Sequence, residues 1–171
     1  MKTSFYGQFP TPLGTVAAAQ DAAGRLTRLV FLAGTAKGGE QGPAEQRDDA
    51  RFDTVALQLD DFFRGERSRF DLPLAPAGTD FQQKVWAALL QIPMGETRSY
   101  GELARQLGLP HGARAVGRAN ATNPIALVIP CHRVIGANGA LTGYAGGLGL
   151  KQQLLAFEQR QFTLGDETWL R

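Results

Sequence analysis

Apolar and polar positions alternate along the first 35 residues and change to a helical spacing further on. Three short strands follow from the alternation: Ser4–Phe9, Thr15–Ala19 and Leu26–Leu32. Pro10–Gly14 and Asp21–Gly24 supply turn residues between them, so the strands form an antiparallel meander. Gly34–Gln46 is rich in Gly, Glu and Gln and reads as a surface loop. Phe52, Val55, Leu57, Leu59, Phe62 and Phe63 then recur with an imperfect 3.6-residue period, a helix that Gly65 ends. Phe70–Gly78 carries two prolines and reads as an extended linker.

Beyond that linker the pattern is helical. Thr79 and Gln82 have capping-box spacing before Phe81, Val85, Trp86, Leu89 and Leu90, which predicts a helix over 80–91. Ser99 and Glu102 repeat the device before a short helix to Leu107. After the turn Gly108–Gly112 a third helix runs over Ala113–Ala121, so the pair has helix-turn-helix spacing. That third helix is made of small residues, and Gly117 weakens it by about 1 kcal/mol relative to Ala. Small side chains allow close approach of another surface, either DNA or a neighbouring helix. Ile125–Ile129 is apolar and β-branched and reads as a short buried strand that delivers Cys131 at its end, just after Pro130.

The fold class is therefore α+β, with residues 1–78 as an N-terminal domain and 79–171 as a mostly helical C-terminal one. Of the 171 residues 43% are hydrophobic and 20% charged, an ordinary globular composition. No apolar run approaches a membrane span and the N-terminus has no signal-peptide core, so a cytoplasmic protein without membrane attachment is expected. A single cysteine forbids an internal disulfide, in keeping with a reducing compartment. One Cys and two His leave a zinc site short of its usual ligands, so neither metal nor cofactor is expected.

Charge is unevenly spread. Residues 1–79 hold nine Lys/Arg against ten Asp/Glu, and residues 80–171 hold nine against six. Between positions 98 and 133, Arg98, Arg105, Arg114, Arg118 and Arg133 stand against Glu102 alone. Such a stripe suits a phosphate backbone, although a solvated helical face would look the same.

Cys131 is the candidate nucleophile. A lone cysteine often simply packs. Here His132 and Arg133 follow it, and a base with a positive charge lowers a thiol pKa and favours the nucleophilic thiolate.

Pro130-Cys131-His132-Arg133 resembles the active-site motif of the O6-alkylguanine-DNA alkyltransferases. Ser99–Ala104, Arg114–Gly117, Asn123-Pro124 and Gly143–Leu148, then Lys151, Leu154, Leu155 and Glu158, resemble the family's pattern in the same order. The likeness is specific over 80–160 and weak over 1–75. It implies a ribonuclease H-like N-terminal domain of three antiparallel strands with a helix, and a winged-helix-like helix-turn-helix after it. It further implies repair of O6-alkylguanine, and of O4-alkylthymine, by irreversible transfer of the alkyl group to Cys131.

The same resemblance assigns the roles. Cys131 is similar to the alkyl acceptor, His132 to its base acting through a water, and Glu158 to the carboxylate that orients His132. Tyr100 resembles the tyrosine that protonates guanine N3, and Asn123 the residue tying the helix-turn-helix to the active-site segment. Arg114 resembles the side chain that replaces the flipped nucleotide in the duplex, with Ala113, Ala115, Gly117, Arg118 and Arg98 beside it against DNA. Val134, Tyr144, Ala145 and Ala126 correspond to the substrate pocket. Ala126 and Ala145 stand where some members have proline and serine, and Asn120 where some have an apolar residue. The implied partner is double-stranded DNA, bound as a monomer from the minor groove with little sequence preference. A Cys-His thiol hydrolase, a helix-turn-helix regulator and a non-catalytic lesion-binding relative are the rival readings.

Overall fold

The computed structural model describes residues 4–32, 45–144 and 146–168, with side chains as far as Gln161. It divides into two compact units. The first comprises residues up to Ala77 together with Pro124–Val128, and the second Gly78–Asn123 with Ile129 onward.

In the first unit β1 (Ser4–Thr11), β2 (Gly14–Gln20) and β3 (Leu26–Phe31) form the expected meander. β1 pairs antiparallel with β2 from Phe5↔Gln20 to Thr11↔Gly14, and β2 antiparallel with β3. The sheet has a fourth strand that the sequence reading lacked. β4 (Glu45–Arg47) lies parallel to β1, giving the order β3-β2-β1-β4. The end of the segment read as a loop is thus an edge strand. It has three polar residues and pairs through its backbone, so no apolar alternation marks it. Arg28 grips its first residue, Glu45, with two bonds of 2.9 and 2.8 Å.

A single 3-10 turn, Asp49–Phe52, leads into α1 (Asp53–Phe63). Val55, Gln58, Leu59 and Phe62 are its buried positions, whereas Leu57 is 59% exposed. The imperfect period arises because a glutamine takes an inward slot. Gln58 donates to the Asp71 carbonyl and accepts from the Asp71 N–H, both at 2.9 Å, so its amide is satisfied in the interior. The proline-containing segment is likewise held rather than free. Leu26 donates to the Pro73 carbonyl and Ala75 donates to the Leu26 carbonyl, a bridge of strand type at Leu74.

Residues 125–129 are not a strand. Ile125 makes one bridge to Leu29, and residues 126–128 turn. Leu127 has φ 69°, a left-handed conformation that breaks any extended run. The β-branched, apolar composition reflects burial of Ile125, Leu127, Val128 and Ile129, not sheet pairing.

In the second unit both capping boxes form. Thr79 and Gln82 close the start of α2 (Asp80–Leu89), and Ser99 and Glu102 close that of α3 (Tyr100–Gln106). The turn after α3 passes through Gly108 at φ 75° and leads to α4 (Ala113–Ala121). A two-residue parallel pair joins β5 (Arg98–Ser99) to β6 (Val134–Ile135), which sets the start of α3 beside the segment that follows Cys131. α5 (Leu148–Thr168) completes the unit. Among the described residues no helix is long and apolar enough to cross a membrane.

Trp86 fastens α2 to α4. Its ring is buried, and Nε1 donates to the Ala119 carbonyl at 2.9 Å. A Cβ at Gly78 would fall 2.5 Å from the ring, so this position excludes larger residues. Trp86→Phe leaves that carbonyl without its donor and should cost about 1–3 kcal/mol, read from the urea midpoint. A midpoint equal to wild type would show that the bond does not tie the helices.

Candidate active site

Cys131 opens a 3-10 turn, Cys131–Arg133, that all three of its side chains direct into buried surroundings. Two asparagines fix the backbone that presents the thiol. Asn123 Nδ2 donates to the Ile129 carbonyl at 2.8 Å, and Asn120 Nδ2 donates to the Cys131 carbonyl at 3.3 Å. The Asn123 side chain also bonds toward the Cys131 sulfur. Since Asn120 ends the buried face of α4, the helix with small residues is tied directly to the cysteine's backbone.

His132 and Glu158 meet in the interior, with Nε2 and Oε1 2.7 Å apart and both side chains at most 1% exposed. Against an ionised carboxylate Nε2 carries the ring proton, which leaves Nδ1 as the acceptor. His132 Nδ1 has no partner among the described residues, so it is the nitrogen available to a base's task. Arg133 reaches the same carboxylate. Its Nε donates to Oε2 at 2.9 Å and a terminal nitrogen to Oε1 at 2.8 Å, while the other terminal nitrogen donates to the Ile92 carbonyl at 2.6 Å.

Lys151 is a second buried cation. Nζ donates to the Val134 carbonyl at 2.5 Å and to the Thr142 carbonyl at 2.8 Å. Tyr100 meets the same residue, donating from its hydroxyl to the Thr142 carbonyl at 3.2 Å and accepting from Thr142 Oγ1 at 3.1 Å. The Tyr144 hydroxyl is buried with no partner among the described residues.

The protonation states follow from burial. Burial pushes the Cys131 thiol up, against smaller opposing effects of Asn123 and Lys151. Burial also lowers His132 below its ordinary value, more than Glu158 raises it, and Arg133 and Lys151 add to the lowering. Burial opposes the charge on Glu158 too, yet His132 and the two Arg133 bonds outweigh it and hold the carboxyl at about 2. Desolvation lowers Lys151, and it drives Tyr144 well above the usual phenol value. The resting pair is therefore a neutral thiol and a neutral imidazole beside an ionised carboxylate. This corrects the expectation that His132 and Arg133 would lower the thiol: Arg133 spends its charge on Glu158, and desolvation decides the sign.

α4 shows two faces. Val116, Ala119 and Asn120 are buried, and Arg114 and Arg118 are exposed one turn apart. Both readings of its small residues thus have a side: close packing inward and a cationic surface outward. Ala113, Ala115 and Gly117 lie between these faces, partly exposed. Arg98 is half-exposed and paired with Glu96 at 2.8 Å, so less of its charge is available. Arg133 leaves the surface stripe altogether. Val134 is buried, Ala126 spends its N–H on the Leu29 carbonyl in the first unit, and Ala145 lies outside the described residues. Sequence reasoning had Arg133 as a charge beside the thiol but not its bonds to Glu158, had Lys151 only within the family's pattern, and missed Thr142. A helical stripe in which Lys151 and Glu158 share the buried face with Leu150 and Leu154 was the available signal.

Two family descriptions match the chain: the DNA-binding domain of 6-O-methylguanine DNA methyltransferase over residues 80–160, and its ribonuclease-like domain over residues 4–76. The methylated-DNA–protein-cysteine methyltransferase of Methanosarcina acetivorans is 48% identical over 154 residues, covering 90% of this chain and 97% of its own. The chain belongs to the 6-O-methylguanine DNA methyltransferase family. The Mycobacterium tuberculosis relative of the same name is 58% identical over 112 residues, 66% of this chain and 68% of that one. A crystal structure of Mycobacterium tuberculosis OGT in complex with DNA superposes with TM-score 0.84 at 47% identity, covering 92% of this chain and 94% of that one. The fold is that of this family, with its small N-terminal sheet and helical C-terminal part.

The carboxylate at the centre of the site predicts an acid limb of stability. Glu158 titrates near 4.5 when unfolded and about 2 when folded, so its contribution is present above 4.5 and is lost as pH falls through that window. His132, lowered from 6.5, adds a loss that begins below that value. Glu158→Gln should flatten the urea-unfolding free energy between pH 4.5 and 2 relative to wild type. Parallel curves for the two proteins would contradict the assignment.

Proposed function

We propose that the protein repairs O6-alkylguanine in double-stranded DNA by one irreversible transfer of the alkyl group to Cys131. The carrying observation is the buried cluster of Cys131, His132 and Glu158 in a unit that also presents Arg114 and Arg118 on a small-residue helix. The helix suits a groove where bulk would clash and base readout is degenerate. Arg114, with exposed side chain at the helix start, is the group that fills the space of the extruded nucleotide, at the few kcal/mol that unstacking costs. Arg118 and the exposed Arg105 add phosphate attraction.

In the transfer step the sulfur attacks the alkyl carbon, the carbon–O6 bond breaks, and the electron pair leaves on guanine. The thiol proton passes to His132 Nδ1, through a water in this reading, and Glu158 stabilises the imidazolium. Tyr100 returns a proton at guanine N3, so the base departs neutral. Its hydroxyl is held meanwhile by Thr142, which keeps the ring in place before the base arrives. Asn123 holds the thiol's direction, and Val134 and Tyr144 form the surroundings of the base. A thioether is stable and no group among the described residues is placed to hydrolyse it, so each molecule acts once. The lone free thiol suits a reducing cytoplasm, which we take as the compartment, with a single chain as the acting species.

Incubation with duplex DNA holding O6-methylguanine should give one methyl adduct at Cys131 by intact mass, with repaired lesions equal in number to protein molecules. Cys131→Ala should form no adduct and still bind DNA, and His132→Ala should slow transfer about 10²–10⁴-fold. Repair in excess of protein would defeat the single-use reading. Absence of any adduct would favour a regulator or a lesion-binding role.

A further inference from the structure

We propose that Arg133 is a positioning residue for the transfer step: by holding both oxygens of Glu158, one of them shared with His132, it keeps the imidazole a neutral, oriented base. The inference rests on the proposed reaction and assigns a part to a residue that this reaction does not otherwise use.

The geometry carries it. Glu158 Oε1 accepts from His132 Nε2 at 2.7 Å and from Arg133 at 2.8 Å, while Oε2 accepts from Arg133 Nε at 2.9 Å. A bidentate guanidinium fixes the plane of a carboxylate, which an ammonium cannot do. The guanidinium is itself fixed, because its remaining terminal nitrogen bonds the Ile92 carbonyl at 2.6 Å, just beyond α2. The position of Oε1, and with it the tilt of the His132 ring and the aim of Nδ1, is set by Arg133.

Sharing also divides charge. A buried Glu–His pair by itself draws a proton onto the ring, and a protonated ring cannot accept one from the thiol. The charged groups acting on His132 are Glu158 and Lys151 from α5 and Arg133 from its own turn; Cys131 is its neighbour in that turn, and Tyr144, from the segment before α5, lies near Cys131 and Glu158. Only Glu158 favours the ring's charge, and Arg133 neutralises that carboxylate from the other side. After proton transfer the same arrangement keeps the proton on His132, since a carboxylate with two guanidinium bonds is a poor acceptor.

The test compares wild type, Arg133→Gln and Arg133→Lys as full chains, reading the His132 ring titration by NMR and single-turnover transfer from O6-methylguanine duplex. In Arg133→Gln the ring should titrate at higher pH. The ratio of transfer rates at about pH 9 and about pH 6 should rise roughly tenfold over wild type, the usual size of one lost nearby charge. Arg133→Lys restores the charge without the fork, so its ring titration and rate ratio should match wild type while the rate falls at every pH. An unshifted ring and unchanged ratio in Arg133→Gln would overturn the proposal. So would identical behaviour of the two variants, which would mark Arg133 as filler only. If Arg133→Gln does not fold, wild type and Arg133→Lys decide: a wild-type ring that titrates above the ordinary histidine value overturns it, and one below with a uniformly slowed Arg133→Lys supports it. The ring titration uses unreacted protein, so it stands or falls apart from whether methyl transfer is the reaction.

Discussion

One carboxylate in the second unit serves two donors, and the site is arranged around that constraint. A buried anion is tolerable only with charge and hydrogen bonds to match it. Glu158 obtains both from the turn that carries Cys131, through His132 and Arg133. The sequence neighbours of the cysteine are therefore fixed by a helix that begins well downstream, and the cysteine's own direction is fixed by Asn120 and Asn123. Removal of Arg133 would leave the buried carboxylate uncompensated, so the same bonds that aim the base also hold α5 against the turn.

That constraint explains why the thiol is neutral at rest. In a site this buried, desolvation governs the titration of Cys131 and His132 and opposes a standing ion pair. A buried neutral thiol resists oxidation and casual alkylation, which suits a residue that can react only once. Activation then belongs to the moment when a guanine occupies the site and the proton has somewhere to go. Lys151 is a cation near the sulfur, held by the Val134 and Thr142 carbonyls.

Local chemistry was legible in the sequence, and long-range chemistry was not. The capping boxes at Thr79 and Ser99 need only residues three apart, and they form as read. The meander follows from alternation and turn residues. β4 escaped because three polar residues on an edge bury no face. The Ile125–Ile129 run was misread because burial and strand formation select the same residue types, and only the backbone at Leu127 separates them. In the helix of the first unit Leu57 and Gln58 exchanged their expected places, since an amide can be satisfied inside by the Asp71 backbone. Cys131 and His132 stood out by adjacency. The partner of Arg133 did not, because an arginine in a basic stretch reads as a free positive charge until a carboxylate 25 residues away is known to meet it.

The thiol is held protonated until transfer, and the single cysteine makes that state directly measurable. Ultraviolet thiolate absorbance, titrated in the free protein, reports Cys131 without interference from another thiol. The account predicts no thiolate at neutral pH, with ionisation only above the ordinary cysteine value. A thiolate already formed at neutral pH, and lost in His132→Ala, would contradict it and restore a preformed ion pair as the source of reactivity.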